Sequence, residues 1–329
     1  MEVGKLKNEM LDKWIIKELR GIREDVLIRP GIGEDCAAIA FGDTACVLTT
    51  DPITGSGSHL GKLAVHVCLN DIASSGAEAA ALLMTLLCPE GTTKEEIHQI
   101  MVEANAEANQ LGIEIIGGHT EITSAVNRTI VSATAIGKIP VQNLITTAGA
   151  HAGDLIYMTK QIATEGTAII ASDCEAELSK VLTQDELEAA KALIHQISVV
   201  PEGRIGGRIG VSAMHDATEG GVLGAIHELC VASGKGCVLI KERFPVQDAT
   251  LKIAAYYNID PMKLIASGSM IMAVHPDRAA SLESALSVAG IAFSMVGEVT
   301  EACEHWLVEG QQRILFHSPE ADELYKVIK

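Results

Sequence analysis

Hydrophobic positions along the first part of the chain switch repeatedly between helical and strand spacing. Leu6, Met10, Trp14 and Ile15 predict a helix over Leu6–Arg20, which Gly21 and Pro30 end. The apolar run A-C-V-L-T-T predicts a short strand that stops at Asp51. From Gly61, K-L-A-V-H-V-C-L-N-D-I-A-S-S-G-A predicts a helix with Lys62, His66 and Asn70 on one stripe and Asp71 beside it. Ala80–Leu87 is strand-like, and Thr93 with Glu96 forms a capping box. An amphipathic helix follows, carrying Ile97, Ile100, Met101, Ala104, Ala108 and Leu111 and closed by Gly112. Glu114–Ile116 and Thr129–Ile136 are expected strands.

The second part repeats the alternation. A strand is expected at Leu155–Thr159, then a small-residue helix opening at Glu165-Gly166-Thr167. A second capping box, Thr183 with Glu186, precedes a helix carrying Leu187, Ala190, Leu193, Ile194 and Ile197. Val211–Met214 is a short apolar run before Asp216, and Gly220-Gly221 open a helix ending at Gly234. Beyond it come the strand Met270–Val274, a helix Pro276–Ala289, the strands Phe293–Val299 and Arg313–Phe316, and a short C-terminal helix. The fold class is therefore α/β (α+β). At 329 residues the chain exceeds the size at which one hydrophobic core stops growing. Two domains are expected, 1–145 and 146–329, meeting in the polar, small-residue stretch Pro140–Gly153.

Composition narrows the partners. A formal charge of -18 argues against a nucleic-acid backbone, whose phosphates require clustered Lys and Arg. No stretch reaches the roughly 18 apolar residues of a spanning helix, and the N-terminus lacks a signal peptide's apolar core, so a soluble cytoplasmic protein is expected. The 8 cysteines include no C-x-x-C pair and read as reduced, buried small hydrophobes.

Four polar, glycine-bearing segments carry the candidate chemistry: G-I-G-E-D at Gly31–Asp35, T-T-D-P-I around Asp51, G-G-H-T-E at Gly117–Glu121, and D-A-T-E-G-G from Asp216. The flexible T-G-S-G-S-H-L-G after Ile53 reads as a functional loop. No Walker or dinucleotide fingerprint is present. Oxygen ligands alone suit Mg²⁺, and several acids beside a polyphosphate require more than one cation. Bland readings stand beside these: the Asn70-Asp71 pair as a structural hydrogen bonder, His119 as a satisfied polar residue, Thr218 as a helix cap. Arg204 and Arg208 in R-I-G-G-R read as surface ion pairing or as a phosphate contact.

In order and spacing, G-I-G-E-D-C-A-A, L-T-T-D-P-I, the helix to S-S-G-A, G-G-H-T-E and D-A-T-E-G-G resemble the aminoimidazole ribonucleotide (AIR) synthase superfamily over nearly the whole chain. That superfamily includes PurM, HypE, thiamine-monophosphate kinase and selenophosphate synthetase. The resemblance implies a two-domain PurM-like fold, a homodimer formed through the N-terminal sheet, and Mg-ATP near that interface. It implies attack of an amide, acid or phosphate oxygen of a small acceptor on the γ-phosphate of ATP, with release of ADP. On it, Asp35, Asp51, Asp71 and Asp216 are the candidate metal ligands. Gly31, Gly33, Asp35, Lys62, Asn70, Gly117, Gly118, Thr120, Gly220 and Gly221 are the candidate nucleotide-binding residues, and His119 and Glu121 the candidate catalytic ones. HypE proteins carry a lysine after G-D-T, a glutamate in A-N-E-G and a C-terminal cysteine tail. Here Glu121 and Gly268 occupy the first two places, and the sequence ends A-D-E-L-Y-K-V-I-K, with Cys303 its last cysteine. A different acceptor is therefore expected; the alternative is a nucleotide-binding maturation factor, with a maturation-protein partner, that does not itself turn over.

Overall fold

A computed structural model of the chain describes residues 6–54 and 59–328. Most of the expected T-G-S-G-S loop lies outside the described residues. Six strands, β1 (Val26–Ile28), β2 (Ala37–Phe41), β3 (Thr44–Ile53), β4 (Glu78–Cys88), β5 (Glu114–Ile122) and β6 (Ile130–Pro140), form a first sheet in the order 1-2-3-6-4-5. Helices α1 (Asn8–Trp14), α2 (Leu60–Ser74) and α3 (Lys94–Gln110) accompany it. The first helix is shorter than its apolar spacing predicts, giving way to a 3₁₀ turn at Ile16–Glu18. None of its residues is buried, so no packed face extends it.

A second sheet has the order 13-12-9-11-7-10-8. Its strands are β7 (Leu155–Thr159), β8 (Ala213–Asp216), β9 (Gly236–Ile240), β10 (Met270–Val274), β11 (Phe293–Thr300), β12 (His305–Glu309) and β13 (Gln312–Leu315). Its helices are α4 (Thr164–Asp173), α5 (Glu175–Leu178), α6 (Gln184–Lys191), α7 (Val200–Ile209), α8 (Gly221–Ala232), α9 (Asp248–Tyr257) and α10 (Pro276–Val288). Strand β10 is buried on both faces, which is why it reads as an unbroken apolar run. Met270, Met272 and Val274 enter a core shared with the first sheet, while Ile271 and Ala273 enter a second core.

Helix α2 organises the junction: every residue but Val67 is buried. Small residues let its neighbours approach. A Cβ on Gly61 would stand 2.2 Å from Ile100 O of α3, and one on Gly203 of α7 would stand 2.3 Å from Ala73 O. α2 is thus clamped between the first sheet, α3 and the second half of the chain.

Two expectations about strand ends change. Asp51 lies inside β3, because β6 pairs with that strand from Thr44↔Pro140 to Ile53↔Val131. On the other side β2 pairs only as far as Leu48. Residues 49–53 are therefore an edge, where Pro52 is tolerated and Thr49, Thr50 and Asp51 line a cleft. Likewise G-G-H-T-E is no loop. It lies within β5, which runs parallel to β4 from Ala81↔Glu114 to Cys88↔Ile122. Gly118 permits that pairing: its φ is +145, and a Cβ would sit 1.7 Å from Met84 O.

Candidate active site

The open edge of β3 floors a cleft of about 620 Å³ between the two halves. The first half contributes Glu34, Asp35, residues 49–54, Leu63, Val67, Asp71 and Arg128; the second contributes Glu165, Ile169, Thr218, Glu219, Ile265, Ser267, Asp322, Leu324 and Tyr325. Arg128 is the one basic side chain in this lining.

Asp35, Asp51 and Asp71 line the cleft, and the fully buried Asp216 interacts electrostatically with them without lining it. Asp71, buried on α2, accepts a hydrogen bond from Thr49 Oγ1 at 2.6 Å. Burial, then the charges of Asp216, Asp51 and Asp35, hold its carboxyl well above the usual range. Asp216, at the end of β8, is pushed up to about 7 by burial and then by Asp35, with His215 and Ser74 opposing. Its Oδ1 lies 3.2 Å from Ser74 Oγ; its Oδ2 is buried without a hydrogen-bond partner. His215 stands between Asp35 Oδ2 at 2.7 Å and Glu228 Oε2 at 3.1 Å. Burial alone would lower its pKa; the two carboxylates outweigh this and raise it well above the ordinary value. The imidazolium so formed offsets part of the negative charge. One ligand atom each from Asp35, His215 and Asp216 lie within 4.8 Å of one another.

This donor set fits a hard divalent cation. Buried carboxylates repel one another unless a cation intervenes, and an orphaned buried oxygen is costly without a partner. The oxygens of Asp35, Asp51, Asp71 and Asp216 could hold Mg²⁺, which favours carboxylates together with substrate phosphates.

Other candidate residues have different surroundings. Asn70 does not line the cleft. It is fully buried, its Nδ2 donating to Ile197 O (2.7 Å) and its Oδ1 accepting from Val199 N (2.8 Å). Lys62 pairs with Glu107 of α3 at 2.7 Å, where His66 also binds Glu107 at 2.9 Å. Helical geometry explains both, since the stripe through Lys62, His66 and Asn70 faces away from the one bearing Asp71. Gly220 N donates to Asp322 Oδ2 (2.7 Å) and Gly221 N to Thr218 O (3.0 Å), so neither amide is free for a phosphate. Gly31 lies outside the cleft lining, and Gly33 is small because a Cβ would stand 2.9 Å from Glu228 Cβ. Gly117, Gly118, His119, Thr120 and Glu121 are exposed on β5, where His119 Nε2 lies 3.0 Å from Glu121 Oε2. Arg204 and Arg208 are exposed on α7, away from the cleft. All 8 cysteines are free.

Sequence reasoning missed the far wall: Glu165, Ser267, Asp322 and Tyr325. Glu165 read only as part of the segment Glu165-Gly166-Thr167 that opens a small-residue helix. Its burial, at 5% exposure, was not visible in local spacing.

Two α/β halves with acids gathered between them define a class of protein. The chain belongs to the AIR synthase related protein family: residues 33–139 match the family's N-terminal domain and 151–308 its C-terminal domain. Among its relatives, a putative hydrogenase expression/formation protein of Methanocaldococcus jannaschii is 30% identical over 285 residues, 84% of this chain and 82% of the relative. The carbamoyl dehydratase HypE of Cupriavidus necator is 26% identical over 285 residues, 84% of this chain and 79% of that protein. Similar solved structures include a HypE–HypF complex (TM-score 0.74, 21% identity, covering 88% of this chain and 94% of that one). Another is a hydrogenase maturation protein HypE in complex with ATP (TM-score 0.69, 17% identity, 98% and 97%). These structures share the two-domain PurM-like fold. No helix among the described residues is long and apolar enough to cross a membrane.

Proposed function

We propose that this protein binds Mg-ATP in the cleft between its halves and transfers the γ-phosphoryl group to an oxygen of a small acceptor, releasing ADP. The observation that carries the reading is the group of three carboxylates, Asp35, Asp51 and Asp71, near an unpartnered, buried Asp216 Oδ2. Such acids in an ATP site need cations, and phosphoryl transfer depends on positioning and charge neutralisation more than on a nucleophilic side chain. Bound Mg²⁺ would supply that neutralisation. The chain's own part is to hold Asp35, Asp51, Asp71 and Asp216 in place through Thr49, Ser74 and His215. The complex of HypE with ATP and the carbamoyl dehydratase activity named for relatives support ATP-dependent chemistry of this type.

The active form in this reading is a homodimer, with residues 1–145 as the ATP-binding and pairing unit and 146–329 as the second. Its support is β5, an open sheet edge with Ile116 and Ile122 exposed, beside Leu83 on β4. His119 and Glu121 would then face the partner subunit. A second reading is a maturation factor, engaging a protein partner, without its own turnover. It is favoured by Gly268, which stands where the resemblance leads one to expect a glutamate and has a φ of +111, where a Cβ would stand 2.5 Å from Gln196 O.

Isothermal titration checks the first reading. ATP binding should require Mg²⁺, and Asp51→Ala should abolish it; tight Mg²⁺-independent binding, or none, would sink it. Mg-dependent binding without ADP release on any acceptor would leave the second reading standing.

A further inference from the structure

The hydrogen bonds of His215 do not end at Glu228. Glu228, 8% exposed on α8, accepts from His215 Nε2 through Oε2 at 3.1 Å and from Asn8 Nδ2 through Oε1 at 3.2 Å. His215, buried on β8, reaches Asp35 Oδ2 with Nδ1 at 2.7 Å. A continuous chain of hydrogen bonds therefore runs from helix α1, through α8 and β8, to a carboxylate of the cleft. It crosses between the halves twice, since Asn8 and Asp35 belong to the first and Glu228 and His215 to the second.

Glu228 is the fixed point of this chain. Gly33, two residues before Asp35, has a φ of +78, and a Cβ there would stand 2.9 Å from Glu228 Cβ and 3.1 Å from Glu228 O. The G-I-G-E-D segment thus lies directly on Glu228 while His215 reaches its last residue from below. A ring bonded through both nitrogens is held in one orientation, because turning it would leave a buried N–H and a carboxylate oxygen without their partner. The far end of the chain is seated more lightly. No residue of α1 is buried, and Lys7 at its N-cap meets Glu320 at 3.3 Å across two exposed side chains, a pairing that contributes little.

We propose that Glu228 is a positioning residue for the metal site: it holds the His215 imidazole against Asp35, and through Asn8 it couples the seating of α1 to Mg²⁺ binding at Asp35. The inference rests on the Mg-ATP reading. Asp35 is the candidate ligand that the opposite half holds in place; without Glu228 the ring can turn, and the Asp35 carboxylate is no longer fixed relative to Asp51, Asp71 and Asp216. Partners that orient a ligand in this way set metal affinity without touching the metal. The coupling is reciprocal: a seated α1 favours Mg²⁺, and bound Mg²⁺ favours a seated α1.

Two readouts test this in the intact chain. Isothermal titration with ATP at stepped Mg²⁺ concentrations gives the Mg²⁺ needed for half-saturation. Trp14, the last residue of α1, is one of 2 tryptophans, so in a Trp306→Phe background its fluorescence anisotropy reports the seating of α1. Glu228→Leu, which cannot hydrogen-bond, should raise the Mg²⁺ requirement about 10- to 100-fold and lower the Trp14 anisotropy even in metal-free buffer. Glu228→Gln should keep most of the wild-type affinity, because its amide can pair with both His215 and Asn8. Asn8→Ala should lower the anisotropy and raise the Mg²⁺ requirement, less than Glu228→Leu does. Mg-ATP should raise the anisotropy of the otherwise unaltered protein. The proposal is overturned if Glu228→Leu, unfolding in urea as cooperatively as the wild type, leaves the Mg²⁺ requirement unchanged. It is equally overturned if Glu228→Gln weakens binding as much as Glu228→Leu, or if Asn8→Ala frees Trp14 without moving the Mg²⁺ requirement. Asn8→Ala and Glu228→Gln decide the matter should Glu228→Leu fail to fold. Wild-type protein that binds no Mg-ATP would instead remove the underlying reading.

Discussion

Asn70 and Asp71 are adjacent on α2 and serve different parts of the molecule. Successive helical residues diverge by about 100°. Asp71 therefore reaches the cleft and Thr49, while Asn70 reaches the loop at 197–199. Both ends of the Asn70 amide are used, one on a carbonyl and one on an N–H, so it staples the two halves together. Truncation would leave two buried backbone groups unpaired, at roughly 1–3 kcal/mol each. Asn70→Ala should lower stability by about 2–4 kcal/mol in urea unfolding, with the slope unchanged. Mg-ATP affinity in the folded fraction should fall far less than in Asp51→Ala. A change below about 0.5 kcal/mol, within the range of ordinary surface substitutions, would show that the staple is dispensable.

At the scale of elements, the decisive feature is a strand edge left open. β5 pairs with β4 alone, and the face opposite α2 and α3 carries exposed Leu83 beside half-buried Leu87 and Ile136. An unpaired edge bearing exposed Ile116 and Ile122 is a candidate pairing surface. Ile116→Asp should convert a dimer to a monomer in sedimentation velocity, because it places a charge in a sheet interface. A wild-type protein that is already monomeric at micromolar concentration would refute the pairing. Much of this architecture was legible: both capping boxes, at Thr93 and Thr183, form as the sequence predicts, because capping is a local hydrogen-bond exchange. The strand ends were not legible at Asp51 and at G-G-H-T-E. There the length of a strand is set by its partners, β6 and β4, which are distant in sequence. Asp35 and Asp216 were singled out because they stand in glycine-bearing segments, and the fold brings them near Asp51 and Asp71. Lys62 and Gly220 were grouped with them because sequence does not show that Glu107 and Asp322 already occupy their donors.

The molecule as a whole carries a stability cost at its cleft, and pH should expose it. Burial raises the Glu165 carboxyl to about 7 from 4.5 and that of Asp322 to about 6 from 3.8. A carboxyl with a folded pKa above its unfolded value binds its proton more tightly when folded. Its stabilising effect is complete below the unfolded value and is lost as pH rises through the folded one. Between pH 4.5 and about 7 the wild-type protein should therefore lose stability from Glu165. The gap, at about 1.4 kcal/mol for each unit of pH, is on the order of 3 kcal/mol. Glu165→Gln cannot ionise. In metal-free buffer its stability should exceed that of the wild type above pH 7, and the difference should shrink toward zero below pH 4.5. Chemical denaturation of both proteins across that range measures the difference directly. A constant offset would mean that Glu165 ionises as freely in the folded protein as in the unfolded chain. Mg-ATP, by binding only the folded state, should raise both stabilities by mass action. The cost then belongs to the cleft, where burial of Glu165 and Asp322 raises the energy of their charged forms.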